Sequence, residues 1–226
     1  MPKPDLPGVA EARHALAAGR VAIVPNPTPL AYGIAAITPH AVNAAKGRPQ
    51  DQAVAVWLHD DTAWQELVPA LNLQPAALRT AFALLRRELV TLLVPLRDHT
   101  PLPAWITPAV REGHALLYGG RWAPLTRLLA DFPQLYASSA NLTGHPPAVT
   151  AAQATAIFGM HVPVVDGDAL RDLNRPHSST TMLRIAPDET LTLVRHGAQD
   201  TANGPDPAAY LKRLHTAGIS YETDAR

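Results

Sequence analysis

The chain has 226 residues, of which 47% are hydrophobic and 17% are charged, so we expect it to fold around a core rather than remain disordered. Equal numbers of acidic and basic residues leave a formal net charge of zero, which argues against broad nonspecific binding to nucleic acid. Cysteine is absent, which excludes disulfides and thiolate metal sites, and without a membrane-length apolar run or a signal peptide we expect a cytoplasmic protein that does not bind membranes.

Helix and strand signals alternate along the chain. In chain order, helices are predicted at residues 10–19, 38–45, 60–68, 75–87, 124–130, 150–158 and 210–214. Strands are predicted at residues 21–24, 53–58, 89–94, 114–118, 132–136, 162–165, 182–185 and 191–194, with the first in the centre of the sheet and the last two as an antiparallel hairpin. Because no repeat or linker divides the sequence, we expect one α/β domain over residues 1–226, with a twisted mixed sheet and a C-terminal tail or helix at 199–226.

Polar side chains follow the predicted strand at 132–136. They are Ser138, Ser139, Asn141 and Thr143, and a glycine and two prolines come next. In open α/β sheets, ligands bind where strands end, and hydroxyl and amide groups can hold phosphate oxygens or a small polar substrate. A turn capped by the same side chains explains these residues equally well, and on these residues alone it is the simpler interpretation.

The predicted helix at 38–45 has Thr38 as a candidate N-cap and Pro39 at its first position, and it is followed by Lys46 and Arg48. Basic residues at a helix C-terminus can simply complement the helix dipole. Arginine also offers a planar fork suited to phosphate, and lysine a compact charge. The pair is therefore a candidate phosphate site.

Five short motifs occur in order between about residue 8 and residue 198. They are Pro27-Thr28-Pro29-Leu30-Ala31-Tyr32-Gly33-Ile34, Lys46-Gly47-Arg48, Ser139-Ala140-Asn141, Ser179-Thr180 and Leu193-Val194-Arg195-His196-Gly197-Ala198. Together they resemble the single-domain form of the YrdC-like family, the threonylcarbamoyl-adenylate synthases of tRNA modification. Each motif is weak alone, but their shared order supports the resemblance.

The resemblance implies a twisted mixed sheet flanked by helices, with a concave and partly basic cavity. It also implies a nucleotidyltransferase that joins threonine, bicarbonate and ATP into threonylcarbamoyl-adenylate and releases pyrophosphate. Positive groups and neutral donors around the phosphates would stabilise the developing negative charge. Mg²⁺ would be carried mainly by the phosphates, with no metal ligands from the protein. The expected partners are ATP, bicarbonate and an amino acid, with RNA or tRNA-modification proteins as further partners.

The resemblance assigns roles to individual residues. The implied catalytic residues are Lys46, Arg48, Ser139 and Asn141. The implied nucleotide-binding residues are Lys46, Arg48, Thr91, Asn141 and Arg195. The implied substrate-binding residues are Thr28, Leu30, Tyr32, Trp57, Ser139, Ser179 and Thr180. We expect six of these side chains to face one cavity, namely Lys46, Arg48, Ser139, Asn141, Ser179 and Arg195.

Departures from the family pattern concentrate where the family recognises threonine. Leu30 replaces a hydroxyl, Trp57 stands near a usual histidine position, and an arginine usual near Tyr118 is missing. We therefore expect a divergent, more apolar amino-acid pocket and poor binding of threonine. One alternative is a paralogue that binds ATP or AMP and uses another carbamoyl or adenylyl acceptor.

A second alternative is a noncatalytic module that binds nucleotide or double-stranded RNA. It would require basic residues to gather on one face, and the candidates for this are Arg86, Arg87, Arg111, Arg121 and Arg127. Fold alone does not decide between these functions.

Overall fold

The computed structural model describes residues 5–26 and 31–216, so Thr28 and Leu30 lie outside the described residues. The helices are α1 Val9–Ala17, α2 Pro39–Ala45, α3 Asp61–Leu67, α4 Pro75–Ala83, α5 Thr126–Leu129, α6 Ala151–Phe158, α7 Ala198–Thr201 and α8 Pro207–Thr216. The strands are β1 Ala22–Pro25, β2 Tyr32–Ala36, β3 Ala55–Leu58, β4 Thr91–Pro95, β5 Val110–Arg111, β6 His114–Gly119, β7 Leu135–Ser139, β8 Met182–Ile185 and β9 Leu191–Arg195. Neither of the two described ranges contains a helix with the length and apolar character needed to cross a bilayer.

Within the described residues, nine strands form one mixed sheet. Their order is β1-β2-β7-β3-β6-β4-β8-β9, and β5 pairs with β6. The β3–β6 and β4–β8 pairs are parallel, and the other ladders are antiparallel. This arrangement brings segments that are far apart in sequence onto neighbouring strands in the middle of the sheet.

Alternate residues of the central strands pack into two different cores. Val56 belongs to a core with residues of α3, α4 and α6, whereas Ala55 and Trp57 belong to a core with residues of α1 and α5. Successive side chains of a strand point to opposite faces, so each face of the sheet has its own helical cover. The second face is only partly covered, and the candidate site lies there.

Several predicted elements are confirmed. Thr38 caps α2 by accepting a hydrogen bond from Ala41 N at 3.3 Å, and β8 and β9 form the expected antiparallel hairpin. The helix predicted at 210–214 lies within α8, where Tyr210 and Leu214 are buried in the core.

The structure corrects four predicted elements. The first strand is at the end of the ladder and not in its centre, a position that suits Pro25 because proline has no amide hydrogen to donate. The predicted strand at 162–165 is only a bridge between Ile23 and Val164, since Pro163 interrupts the ladder. The helix predicted to reach residue 87 continues from Leu84 as a π-helical turn.

The fourth correction concerns the strand predicted at 132–136, which begins later and runs from Leu135 to Ser139. Phe132 N donates to Leu129 O at 3.0 Å, so it belongs to the turn that ends α5. Ser138 and Ser139 are therefore inside the strand, where they pair with β2, and not in the loop that follows it.

Candidate functional site

A cavity of about 210 Å³ lies on the partly covered face of the sheet. Its floor consists of alternate residues of the three central strands, as expected for side chains on one face. These residues are Ala55 and Trp57 on β3, Leu116 and Tyr118 on β6, and Ala137 and Ser139 on β7. Of the six side chains expected to face one cavity, Arg48, Ser139, Ser179 and Arg195 line this one, whereas Lys46 and Asn141 do not.

Arg48 reaches the cavity from the loop after α2. Its Nε and Nη2 atoms are buried, and within the described residues neither has a hydrogen-bond partner. Burial lowers the pKa of Arg48, but a guanidinium remains charged at neutral pH. Arg48 as a whole is half-buried, but these two nitrogens are shielded from water without a partner, so they are available to donate to an anion in the cavity.

Lys46 is 4% exposed and turns away from the cavity toward the end of β7. Its Nζ donates hydrogen bonds to three oxygens, the backbone oxygens of Ser139 and Asn141 and the Asn141 side-chain Oδ1. Burial, with a further contribution from the charge of Arg48, lowers the pKa of Lys46 to about 7. Lys46 therefore holds the turn in place, while Arg48 faces the ligand space.

The turn after β7 is also closed by its own side chains. Ser139 Oγ donates to Asn141 Oδ1 at 2.6 Å, and Asn141 Nδ2 donates to His145 O at 2.5 Å. Ala148 N then donates to Ala140 O at 2.8 Å. The turn is thus fixed before any ligand binds, which limits the ordering that binding would require.

The opposite flank of the cavity is formed by residues 178–180 and Arg195. The hydroxyls of Thr91 and Thr180 are hydrogen-bonded to each other at 2.7 Å, and both residues are buried. Arg195 Nη2 donates to Thr180 O at 3.0 Å, which leaves its other nitrogens for a ligand. Ser179 lines the cavity, and its carbonyl accepts from Ala198 N at 3.0 Å.

A buried polar network supports this flank from behind. Thr181 N donates to Gln199 Oε1 at 2.7 Å, and Thr181 Oγ1 donates to Asp200 Oδ1 at 2.6 Å. Asp200 Oδ1 also accepts from Gly197 N at 2.7 Å, and His196 Nδ1 lies 2.7 Å from Asp200 Oδ2. These hydrogen bonds and the His196 pairing lower the pKa of Asp200 despite its burial. A charged Asp200 thus joins the end of β9 to the segment before β8.

Aromatic rings form the floor, and their polar atoms are already used. Trp57 Nε1 donates to Gly120 O at 2.8 Å, and Tyr118 OH donates to Asn26 Oδ1 at 2.8 Å. The two rings pack with centroids 5.4 Å apart. Burial raises the pKa of Tyr118, so its hydroxyl stays neutral. The floor therefore presents ring surface and no free donor from these two side chains.

Tyr32 lines the cavity at the start of β2. Its hydroxyl donates to Asp168 Oδ1 at 2.8 Å and accepts from Gly167 N at 3.1 Å. Asp168 also accepts from Ala151 N at the start of α6 and pairs with Arg171. The Tyr32 hydroxyl is thus part of a structural network, and mainly burial raises its pKa.

The sequence predicted no role in the cavity for Asn26, Gln52 or Tyr118, and it offered Arg111 only as part of an RNA-binding face, yet all four line the cavity. Arg111 lies in a two-residue strand that is too short to give a periodic signal. Among the described lining residues, three are arginines, Arg48, Arg111 and Arg195, and none is a carboxylate. Across residues 5–26 and 31–216, there is also no group of three or more histidine or acidic side chains that could hold a metal.

Comparison with known proteins identifies the family. The model of the Sua5/YciO/YrdC family, described as telomere recombination, matches residues 14–197. The chain therefore belongs to this family, which confirms the resemblance seen in its motifs.

Individual relatives cover different shares of the chain. A threonylcarbamoyl-AMP synthase of Thiobacillus denitrificans is 41% identical over 73 residues, which cover 28% of this chain and 39% of that protein. The crystal structure of P. abyssi Sua5 complexed with L-threonine has a TM-score of 0.59 at 20% identity and covers 84% of this chain. This match covers 54% of Sua5, so the chain spans about half of that protein. E. coli YciO has a TM-score of 0.60 at 14% identity, and the match covers 86% of this chain and 91% of YciO. At these identities, the solved structures confirm the α/β fold class.

Proposed function

We propose that this protein synthesises a carbamoyl-adenylate from ATP, bicarbonate and an amino acid, as a nucleotidyltransferase of the threonylcarbamoyl-AMP synthase type. Membership of the Sua5/YciO/YrdC family and the name of the curated relative support this reaction class. The observation that carries the proposal is the Arg48 guanidinium, which has two buried nitrogens without a partner in the described residues and lines a cavity with two further arginines.

The charges around the cavity suit the reaction. The amino group first reacts with bicarbonate to form a carbamate, with loss of water. A carbamate oxygen then attacks the α-phosphorus of ATP, and the bond from that phosphorus to the pyrophosphate oxygen breaks. Negative charge accumulates on the phosphate oxygens, where fixed cationic donors stabilise it. We assign Arg48 and Arg195 to the phosphates and the hydroxyls of Ser139 and Ser179 to the carbamate region.

Lys46 and Asn141 take a different part in this scheme. Because Lys46 Nζ donates to the turn at residues 139–141, it would act by holding that turn beside the phosphates. A magnesium ion bound to ATP would offset phosphate charge, and with no carboxylate among the described lining residues, the ion would be held by the nucleotide itself.

The size of the cavity limits what it can enclose. Its volume of about 210 Å³ is below the roughly 300–1,000 Å³ that is usual for ligand pockets. The carbamate and its neighbouring phosphate would fit inside, with the rest of the nucleotide at the cavity mouth. The ring surfaces of Trp57 and Tyr118 favour an acceptor that is less polar than threonine, so a different amino acid or amine is the preferred acceptor.

A noncatalytic RNA-binding role has less support from the surface. Arg86 and Arg121 both contact the same carboxylate, Asp61, and Arg127 pairs with Asp5 at 3.7 Å. Arg111 lines the cavity instead of a shared basic face. Three of these arginines are paired with carboxylates, and the fourth lies in the cavity. They therefore offer little excess positive charge to the phosphate backbone of a nucleic acid.

Calorimetric titration of ATP into an Arg48→Ala variant tests the proposal. Removing a charge-assisted fork should weaken ATP binding at least about tenfold, since each such bond contributes roughly 1.5–3 kcal/mol. The melting temperature should stay nearly unchanged, because Arg48 is half-buried and two of its nitrogens have no partner to lose within the described residues. Arg79→Ala, which alters an exposed arginine on α4, is the matched control.

Pyrophosphate release with bicarbonate and an amino acid, measured in parallel, connects binding to chemistry. If Arg48→Ala binds ATP as well as the unsubstituted protein does, Arg48 only complements the end of α2, and the assignment of the phosphate site is wrong.

A further inference from the structure

Arg111 faces the candidate site because of the register of β5. In the antiparallel β5–β6 pair, Arg111 is opposite His114 and Val110 is opposite Ala115. Paired residues point to the same face, and so do alternate residues of one strand. Arg111 therefore shares the face of Leu116 and Tyr118, which line the cavity floor.

The Arg111 side chain is free to bind a ligand. It is 63% exposed, and its one ion pair in the described part of the chain is a long contact of 3.5 Å from Nε to Glu112 Oε1. Glu112 is itself 72% exposed, and a pair of this kind contributes little to stability. Moving Arg111 toward an anion in the cavity would therefore cost little.

The sheet order leaves a gap that Arg111 can fill. Ser139 ends β7 and Arg195 ends β9, five strand positions further along the sheet. At about 4.8 Å between neighbouring strands, this separation is roughly 24 Å along the sheet, and twist shortens the direct path only in part. The long side chains of Arg48 and Arg195 reach inward from the two flanks and line the same cavity, so the space for a ligand lies between them. Strand β5 lies beside β6, between the two flanks.

We propose that Arg111 is a third phosphate-binding residue, which holds the polyphosphate chain of a nucleoside triphosphate between Arg48 and Arg195. This assignment rests on the proposed function, because it takes ATP as the ligand of the cavity.

Titration of three probes distinguishes a contact between Arg111 and the polyphosphate from a general contribution of Arg111 to nucleotide binding. ATP, inorganic pyrophosphate and AMP are each titrated into the unsubstituted protein and into Arg111→Ala, Arg111→Lys and the control Arg79→Ala. Arg111→Ala should bind ATP and pyrophosphate about tenfold more weakly, the size expected for one charge-assisted contact, and AMP unchanged. Arg111→Lys should be intermediate, because it keeps the charge without the planar fork. Circular dichroism verifies that each variant is folded.

Each contrary result has a distinct meaning. Undiminished ATP binding by Arg111→Ala, together with weakened binding by Arg48→Ala, overturns the role of Arg111 and leaves the proposed function in place. An equal loss for AMP and ATP also overturns it, since the contact would then not be to the polyphosphate. If the unsubstituted protein binds neither ATP nor pyrophosphate, the proposed function and the Arg111 assignment both fail.

Discussion

Replacement of Lys46 by methionine removes a buried amine that holds the turn after β7. The side chain is 4% exposed, and its Nζ donates to oxygens of Ser139 and Asn141. A charged ammonium has three hydrogens for these three acceptors, whereas a neutral amine has two. The protonation state of Lys46 therefore affects both the order of the turn and the stability of the fold.

The pKa of Lys46 gives the direction of the effect. Its ordinary value is 10.5, and burial lowers it to about 7 in the folded protein. Above pH 7 the unfolded chain therefore binds a proton that the folded chain has lost, so the free energy of unfolding rises with pH up to the unfolded pKa. The slope is at most about 1.4 kcal/mol per pH unit. Between about pH 7 and pH 9, the free energy of unfolding of the unsubstituted protein should therefore rise by about 2–3 kcal/mol relative to that of Lys46→Met.

Urea denaturation of both proteins between about pH 6 and pH 9 measures this difference. Below the folded pKa the difference should be constant, because Lys46 is then protonated in both states. At a single pH, the difference in the free energy of unfolding combines the loss of hydrogen bonds with the gain from no longer burying a charge. The change of this difference with pH is therefore the informative quantity. Parallel curves over the whole range would refute the argument, since they would show that the three acceptors keep the ammonium charged.

Two further predictions concern the acceptor and the supporting network. With ATP and bicarbonate present, pyrophosphate release should be faster with valine or alanine than with threonine or serine. The reason is that the polar atoms of Trp57 and Tyr118 are already hydrogen-bonded within the protein. Tight and selective use of threonine would contradict this prediction. Gly197→Ala should lower the free energy of unfolding by about 1–3 kcal/mol and weaken ATP binding, because the new Cβ would lie 2.2 Å from Thr181 N. An unchanged urea midpoint would show that the segment before β8 can shift to accept it.

The alternation of helices and strands and the order of the short motifs were readable from the sequence. Local chemistry is sufficient for features such as the Thr38 cap of α2 or the β8–β9 hairpin, because neighbouring residues determine them. The motifs at Arg48, Ser139 and Ser179 also predicted a shared location, and all three side chains line one cavity. The sequence was less reliable at element boundaries, as in β7, where Phe132 satisfies its amide in the preceding turn.

Only the tertiary structure distinguished Lys46 from Arg48. The resemblance of the Lys46-Gly47-Arg48 motif to the family implies a phosphate role for both, but Lys46 Nζ meets a carbonyl that lies 93 residues further along the chain. That contact exists only because α2 packs beside β2 and β7, an arrangement set by strand pairing. Arg111 became visible as a site residue for the same reason, since the β5–β6 register determines its face. Sequence patterns report local hydrogen bonding and burial, whereas the direction of a long charged side chain depends on partners that the fold brings together.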